Sequence, residues 1–281
     1  MDPEQFGICV AGVDGTTIEA GDADVEFSIM SVAKPFVLAL VSTVHTPTTV
    51  LEFVGANATG RRFNALSAIE DQPDGRTNPM VNPGAIATTS MTPGATTEAK
   101  WRFLQDGLSR FTGRSLSIDE EIFASASATN AVNRAIGDLL RGYGRLAADP
   151  DETVELYTRQ SCLRVTARDL AVMAATLADG GVNPLTREEV VDQQSCRAAL
   201  VVMATAGLYE TSGDWLHTVG LPGKSGIGGG IVTVSPGKGG LGTFAPRLDP
   251  AGNSVKGQLA AQFLSRRLGL DLFVSAAEVF L

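Results

Sequence analysis

Phe27-Ser28-Ile29-Met30-Ser31-Val32-Ala33-Lys34, followed by Pro35 and the apolar run 36–44, is the stretch on which the reading of this chain turns. Residues three apart share one face of a helix, so the Lys34 side chain falls one turn from the Ser31 hydroxyl. A serine hydroxyl is a poor nucleophile until a neighbouring base takes its proton. A lysine amine among apolar groups loses the solvation of its charged form, and the neutral amine can be that base. Pro35 has no N–H and fits only an early helical turn, which puts Ser31 at the helix start. There, unpaired backbone N–H groups can face an oxyanion. The same spacing, taken alone, also fits a surface serine and a surface lysine. The apolar flanks of Lys34 are an odd setting for a solvated charge. With only His45 and His217 in the chain, a histidine-based serine triad has few candidates.

Upstream, residues 6–13 read as a short buried strand. Asp14-Gly15 is a hairpin turn, and residues 16–20 return as the partner strand. Downstream, Pro47 ends the Ser31 helix. Residues 55–97 are rich in Gly, Pro, Asn and Thr, and the prolines bracketing Asn82 in Asn78-Pro79-Met80-Val81-Asn82-Pro83 argue for an ordered loop. From about 98 to 206 the pattern is helical. Trp101, Leu104, Leu108 and Phe111 keep one face and Gly113 is the stop. Ser117-x-x-Glu120, Thr166-x-x-Asp169 and Thr186-x-x-Glu189 resemble capping boxes. Val132, Ile136, Leu139 and Leu140 mark another buried face, on a helix that also carries Asn133. Gly180-Gly181 closes the helix through Leu170, Met173 and Leu177. Tyr157 follows the Asp149-Pro150 break. After Tyr209 come short strands around 219–234, then a closing helix with Val255, Leu259, Phe263 and Leu268 on one face.

Strands at both ends and helices between predict an α/β fold with one antiparallel sheet assembled from both termini and a helical insertion. The boundaries are a single domain over 1–281, with an α/β lobe of about 1–46 and 207–281 and a helical lobe of about 47–206. The glycine-rich segment 220–231 is not a phosphate loop. Thr218 stands where GxxxxGK[ST] needs glycine before Gly223-Lys224-Ser225, and no helix follows. Glycines on an edge strand instead allow a ligand to approach the backbone.

Length and composition set limits on function. The chain of 281 residues can bury a sizeable core. Its net charge of −9 argues against nucleic acid or an anionic membrane as partner. No apolar run of about 18 residues is present, so no membrane span is expected. The acidic start lacks an export signal. Cys9, Cys162 and Cys196 are widely spaced, which disfavours structural zinc or a disulfide framework and makes a reducing cytoplasm the expectation.

Seven pieces together resemble the serine-dependent glutaminase family, whose fold is similar to that of β-lactamases and penicillin-binding proteins. They are 27–34, 78–86, Asn133-Arg134-Ala135, Tyr157 with Asp169-Leu170-Ala171, Ala206-Gly207-Leu208-Tyr209, 220–231, and 252–257. Their order and spacing are family-like over nearly the whole chain. The resemblance implies Ser31 as nucleophile and Lys34 as its base, with Tyr157 and Tyr209 relaying protons or contacting substrate. It implies an oxyanion hole from the backbone N–H groups of Ser31 and Ile227. Asn82 and Asn133 would bind substrate, with Lys224 and Ser225 on the facing strand. It implies a small-molecule amide substrate, no metal or organic cofactor, and a homodimer or homotetramer.

Three departures stand beside these matches. Met30 replaces the family glutamine before the nucleophile. Ala126 replaces the family glutamate that faces the substrate α-ammonium. A family tyrosine upstream of the first hairpin has no counterpart here. A buried ammonium without a carboxylate is costly. The expectation is therefore an amidohydrolase or acyl transferase that attacks a glutamine-like carboxamide lacking a free α-ammonium or carrying a bulkier blocked one. Its alternatives are an ordinary glutaminase with a compensating residue, a catalytically silent binding homologue, and a β-lactamase-like hydrolase or esterase.

Overall fold

The structure is a computed structural model that describes residues 2–275. Seven strands are present among the described residues: β1 (Gly7–Gly12), β2 (Thr17–Gly21), β3 (Phe27–Ser28), β4 (Arg164–Val165), β5 (Gly223–Ser225), β6 (Gly230–Ser235) and β7 (Gly239–Phe244). The helices are α1 (Ala33–His45), α2 (Pro47–Val54), α3 (Ser67–Glu70), α4 (Asn82–Ser90), α5 (Thr97–Thr112) and α6 (Glu120–Ala128). They continue with α7 (Ala131–Gly142), α8 (Pro150–Ser161), α9 (Ala167–Ala178), α10 (Gln193–Ala206), α11 (Ser212–Val219) and α12 (Val255–Leu268).

The main sheet runs β2-β1-β7-β6-β5 with every pair antiparallel, so the N-terminal hairpin joins the C-terminal strands as its pattern predicts. Gly15 takes φ +89° in the Asp14-Gly15 turn, and Asp14 Oδ1 accepts from the Thr16 N–H at 2.9 Å. Along β6 the side chains alternate between two layers. Val232 and Val234 enter the main core beneath α9, while Ile231 joins a smaller core under α12 with Leu241 and Ala261. α9 packs on β1, β6 and β7 although it lies inside the stretch 47–206 assigned to the helical lobe. The main core runs without a break from the sheet through α1 to α5 and α8.

α1 is the centre of that core. Residues 33–42 are all buried, the mark of a helix apolar on every side. A 3₁₀ turn at Met30–Val32 leads into it, so Ser31 stands at the helix entrance, with Pro35 in the first helical turn where its missing N–H costs nothing. The segment is held from the other side by β3, where Phe27 pairs with Val165 and Ser28 with Arg164. The Ile29 N–H continues this ladder by donating to the Leu163 carbonyl at 2.9 Å. This short ladder brings the end of α8, and hence Tyr157, to the Ser31 segment.

Several local expectations are corrected. Asn82 is not in a loop: it opens α4, and Pro83 occupies the first turn, where proline is tolerated. Ser117 and Glu120 form no capping box, because Asp119 caps α6 by accepting from the Ile122 N–H. Thr186 starts no helix, since Asn183 Oδ1 accepts the N–H groups of Leu185 and Thr186 and closes a turn instead. The Thr166–Asp169 box does form, with reciprocal bonds of 3.1 and 2.8 Å. Gly113 ends α5 in the left-handed region, as expected. Val132 is 48 % exposed rather than buried with Ile136 and Leu140. On α12 the face bearing Val255, Leu259 and Phe263 is exposed. The buried face carries Gly257, Ala261 and Ser265, small residues that let the helix lie close to the sheet.

The three cysteines are buried and free. Among the described residues no single helix is long and apolar enough to cross a membrane.

Candidate active site

Lys34 projects from the first turn of α1 into the main core and is 2 % exposed. Its Nζ stands 2.7 Å from Ser31 Oγ and 2.9 Å from Asn82 Oδ1. Burial alone lowers its pKa to about 7, so the neutral amine is populated at neutral pH. In that state one N–H is donated to Asn82 Oδ1 and the nitrogen lone pair is free to accept from the Ser31 hydroxyl. Ser31 itself is half-buried and opens on a cavity.

Asn82 is fixed by its own partners. Its Oδ1 also accepts from Tyr157 Oη at 2.9 Å, and its Nδ2 donates to Asn133 Oδ1 at 3.0 Å. Asn133 Nδ2 then donates to Asn130 Oδ1 at 2.7 Å, and Asn130 Nδ2 to Thr158 Oγ1 at 2.7 Å. Each amide orients the next, and together they lock the carbonyl that holds Lys34. Three helices contribute: α4 through Asn82, α8 through Tyr157 and Thr158, and α7 through Asn133, with Asn130 at its N-cap. Burial raises the Tyr157 phenol well above its ordinary range, so it remains a donor.

The backbone around Ser31 is shaped from both sides. Met30 adopts φ +50°, a left-handed conformation that costs a non-glycine residue on the order of 1 kcal/mol and is held by the flanking β3 and α1. Opposite it, the turn 226–230 closes with Gly226 N–H donating to Gly230 O at 2.9 Å. Proximity requires glycine at 228 and leaves little room for a side chain at 226. A methyl group on Gly226 would come 3.2 Å from the Ser31 nitrogen, and one on Gly228 would come 2.5 Å from the Ser28 carbonyl oxygen. Among the described residues neither the Ser31 nor the Ile227 backbone N–H donates to a protein acceptor. Two free backbone donors beside a serine hydroxyl can receive negative charge as it develops on a carbonyl oxygen.

Tyr209, also at positive φ (+56°), approaches from the sheet side. Its Oη donates to the Ser225 carbonyl at 3.2 Å. Burial pushes its pKa up to about 12, opposed by hydrogen bonding toward Ser31 and Ser225. Lys224 lies under the Tyr209 ring with Nζ 4.1 Å from the ring centre.

The cavity of about 360 Å³ is lined by Met30, Ser31, Asn82, Ala126, Asn133, Tyr157 and Ile227 from the residues singled out in the sequence. Tyr209 does not line it, and neither do Lys224 and Ser225, contrary to expectation. Both are fully buried: Lys224 Nζ donates to the carbonyls of Gly207 and Ser225, and Ser225 Oγ donates to Asn253 Oδ1 at 2.5 Å. Alternation along β5 sends the two to opposite faces, and both faces are covered: Lys224 packs under the Tyr209 ring, while Ser225 is held by Asn253. Sequence reading missed Phe63, Asn64, Asn130 and Thr158, which also line the cavity. Asn130 could have been found as the residue one turn before Asn133, whereas nothing near residues 63 and 64 marks them. Among the described residues no carboxylate lines the cavity.

Comparison with known proteins adds a family and a set of folds. Residues 1–273 match the family model described as Glutaminase. The chain is 66 % identical over 270 residues to glutaminase 2 of Yersinia pestis, covering 96 % of this chain and 79 % of that one. Its structure is similar to that of the probable glutaminase ybaS, with a TM-score of 0.96, 38 % identity, and coverage of 98 % of this chain and 89 % of the other. It is also similar to the Bacillus subtilis glutaminase YbgJ in covalent complex with 5-oxo-L-norleucine, with a TM-score of 0.87, 30 % identity, and coverage of 97 % and 90 %. The antiparallel sheet flanked by helices is thus the β-lactamase-like fold of the serine glutaminases.

Proposed function

Because this chain belongs to the glutaminase family, we propose that it hydrolyses the side-chain amide of L-glutamine to L-glutamate and ammonia through an acyl-enzyme on Ser31. The observation that carries the reading is the buried Lys34 amine, 2.7 Å from the Ser31 hydroxyl and lowered to about pKa 7. A base tuned near the working pH is the efficient choice for proton transfer.

In this reading neutral Lys34 takes the Ser31 proton as Oγ attacks the carboxamide carbon. The carbonyl oxygen becomes an oxyanion and accepts from the N–H groups of Ser31 and Ile227; one such donor is worth roughly 10²–10³ in rate. Collapse of the tetrahedral adduct breaks the C–N bond. The proton now on Lys34 passes to the departing nitrogen, with the Tyr209 hydroxyl beside Ser31 available to hand it on. A water molecule then attacks the ester with Lys34 again as base, and glutamate leaves. Asn82 and Tyr157 act by fixing Lys34, and Asn133 has the remaining hydrogen-bonding capacity to contact substrate.

The relatives support the ordinary glutaminase over the altered substrate expected from Met30 and Ala126. A chain 66 % identical carries the glutaminase name. One observation still favours the second reading, of a glutamine-like amide without a free α-ammonium or of acyl transfer to an amine. The cavity offers no carboxylate to pair with an ammonium.

The deciding experiment measures ammonia release from L-glutamine and from an N-acylated glutamine by the same preparation. It also uses mass spectrometry to follow labelling by 6-diazo-5-oxo-L-norleucine, the reagent whose product is bound in the similar B. subtilis enzyme. Turnover of L-glutamine and one label on Ser31, both abolished in Ser31→Ala, are expected. Turnover of the blocked substrate alone would establish the second reading. Absence of both turnover and labelling would overturn the first.

A further inference from the structure

A second cavity, of about 110 Å³, lies between the sheet and α12 and shares no lining residue with the Ser31 site. Its walls are apolar, formed by Val10, Leu221, Leu241, Leu264 and Leu268. It exists because Ala261 and Ser265 stand on the buried face of α12, where larger side chains would close the space. Engineered apolar cavities of roughly 150 Å³ bind benzene, so a space of this size accepts a small apolar group.

The end of the cavity nearest the β6–β7 hairpin is different. Alternation along β6 turns Thr233 and Ser235 toward α12, since Val232 and Val234 point into the core under α9. Thr233 is 2 % exposed and its Oγ1 has no hydrogen-bond partner among the described residues. A buried hydroxyl left unpaired is costly, and native structures seldom leave one so without a reason. Lys238, exposed in the hairpin, stands on the cavity rim. Its Nζ donates to the Gly269 carbonyl at 3.3 Å, and among the described residues it has no other hydrogen-bond partner and no carboxylate. That contact by itself is an ordinary cation at a helix C-terminus, and it leaves two N–H groups of the ammonium unused. Among the described residues no acid lines the cavity. Asp271, the nearest acid in sequence, packs against Gly220 and accepts from the Phe273 N–H instead.

We propose that this cavity binds a short aliphatic carboxylate. A chain of about four or five carbons lies among Leu221, Leu241 and Leu264. The carboxylate accepts hydrogen bonds from Thr233 Oγ1 and Lys238 Nζ. A hydrocarbon without a polar end leaves Thr233 unpaired, and an amine places like charge against Lys238, so the anion is the class that satisfies both groups.

The test titrates the full chain with sodium pentanoate, using ligand-observed NMR and tryptophan fluorescence. Trp215 is a local reporter, because its indole N–H donates to the carbonyl of Leu221 in the cavity wall at 2.7 Å. Saturable binding is expected, weakened about tenfold or more in Lys238→Gln and in Thr233→Val, with pentylammonium not bound. Lys238→Gln is a surface change, and undiminished glutamine turnover in it shows that the variant is folded. Filling the cavity with Ala261→Leu should abolish binding. No saturable binding overturns the proposal, as does equal binding of pentylammonium. Binding that survives both polar variants but is displaced by L-glutamate belongs to the Ser31 cavity and overturns it equally.

Discussion

In one part of the Ser31 site, Lys34 Nζ, the Asn82 amide and Tyr157 Oη are bonded to one another, and Asn133, Asn130 and Thr158 extend the chain behind them. Apart from this network, the side chains of Met30, Ala126, Val132 and Ile227 form a second part of the cavity wall, which offers methyl and thioether surface and no charge. The first part is over-determined. Moving one group there breaks several bonds, because helices from three parts of the chain meet at Asn82. The second part is lined by side chains whose loss breaks no hydrogen bond. The hydrogen-bonded side chains around Lys34 and the apolar side chains that surround the substrate are thus separate sets, and they can be altered separately.

The strongest test of that separation is Lys34→Met. It removes the base while roughly keeping the apolar volume, and kcat/KM for glutamine should fall about 10⁴-fold. The buried amine is expensive for the fold, so the same variant should unfold at higher urea, by on the order of 2 kcal/mol at neutral pH. A variant that is both inactive and less stable would show that Lys34 is structural. Asn82→Ala keeps Ser31 and Lys34 but frees the amine to wander. A loss of roughly 10²- to 10³-fold in kcat with KM little changed is expected, and a loss confined to KM would make Asn82 a substrate contact instead.

The pH profile is a smaller effect that probes the same set. Burial lowers Lys34 to about 7. The amine is therefore protonated and inert as a base below that value, and neutral above it. kcat/KM should rise with unit slope from pH 5 toward 7, by roughly 50-fold or more, and flatten above 7. A profile flat from pH 5 to 8 would remove Lys34 from the role of base.

The smallest effect is expected in the other set. Ala126→Glu with Met30→Gln supplies a carboxylate and an amide to the apolar wall. KM for L-glutamine should fall by about tenfold with kcat within a few-fold, because the new groups bind the ground state and the transition state alike. A large change in kcat would show that the two sets are coupled after all.

The Ser31–Lys34 pair was legible in the sequence because helical spacing is a local property. Ser31, three residues before Lys34 at the head of an apolar helix, needs no knowledge of the rest of the chain. The hairpin at Asp14-Gly15, the cap at Gly113 and the Thr166–Asp169 box were readable for the same reason. Asn82 and Asn133 were named through the family resemblance. Their bond to each other was not legible, since 51 residues separate them and only the packing of α4 on α7 brings them together. Burial was misread where a pattern had two solutions. The periodicity of α12 fixes which residues share a face, but not which face meets the sheet, and a close approach favoured Gly257, Ala261 and Ser265 over Leu259 and Phe263.

The sequence by itself determined the strands at both ends, the helical middle and the serine–lysine pair, because each follows from interactions within a few residues. Only the tertiary structure decided that Lys34 is dry, that Asn82 holds it from α4, and that Lys224 and Ser225 are both buried, Lys224 under Tyr209 and Ser225 against Asn253. Desolvation and amide orientation are properties of what surrounds a side chain on all sides, and those surroundings come from distant parts of the chain.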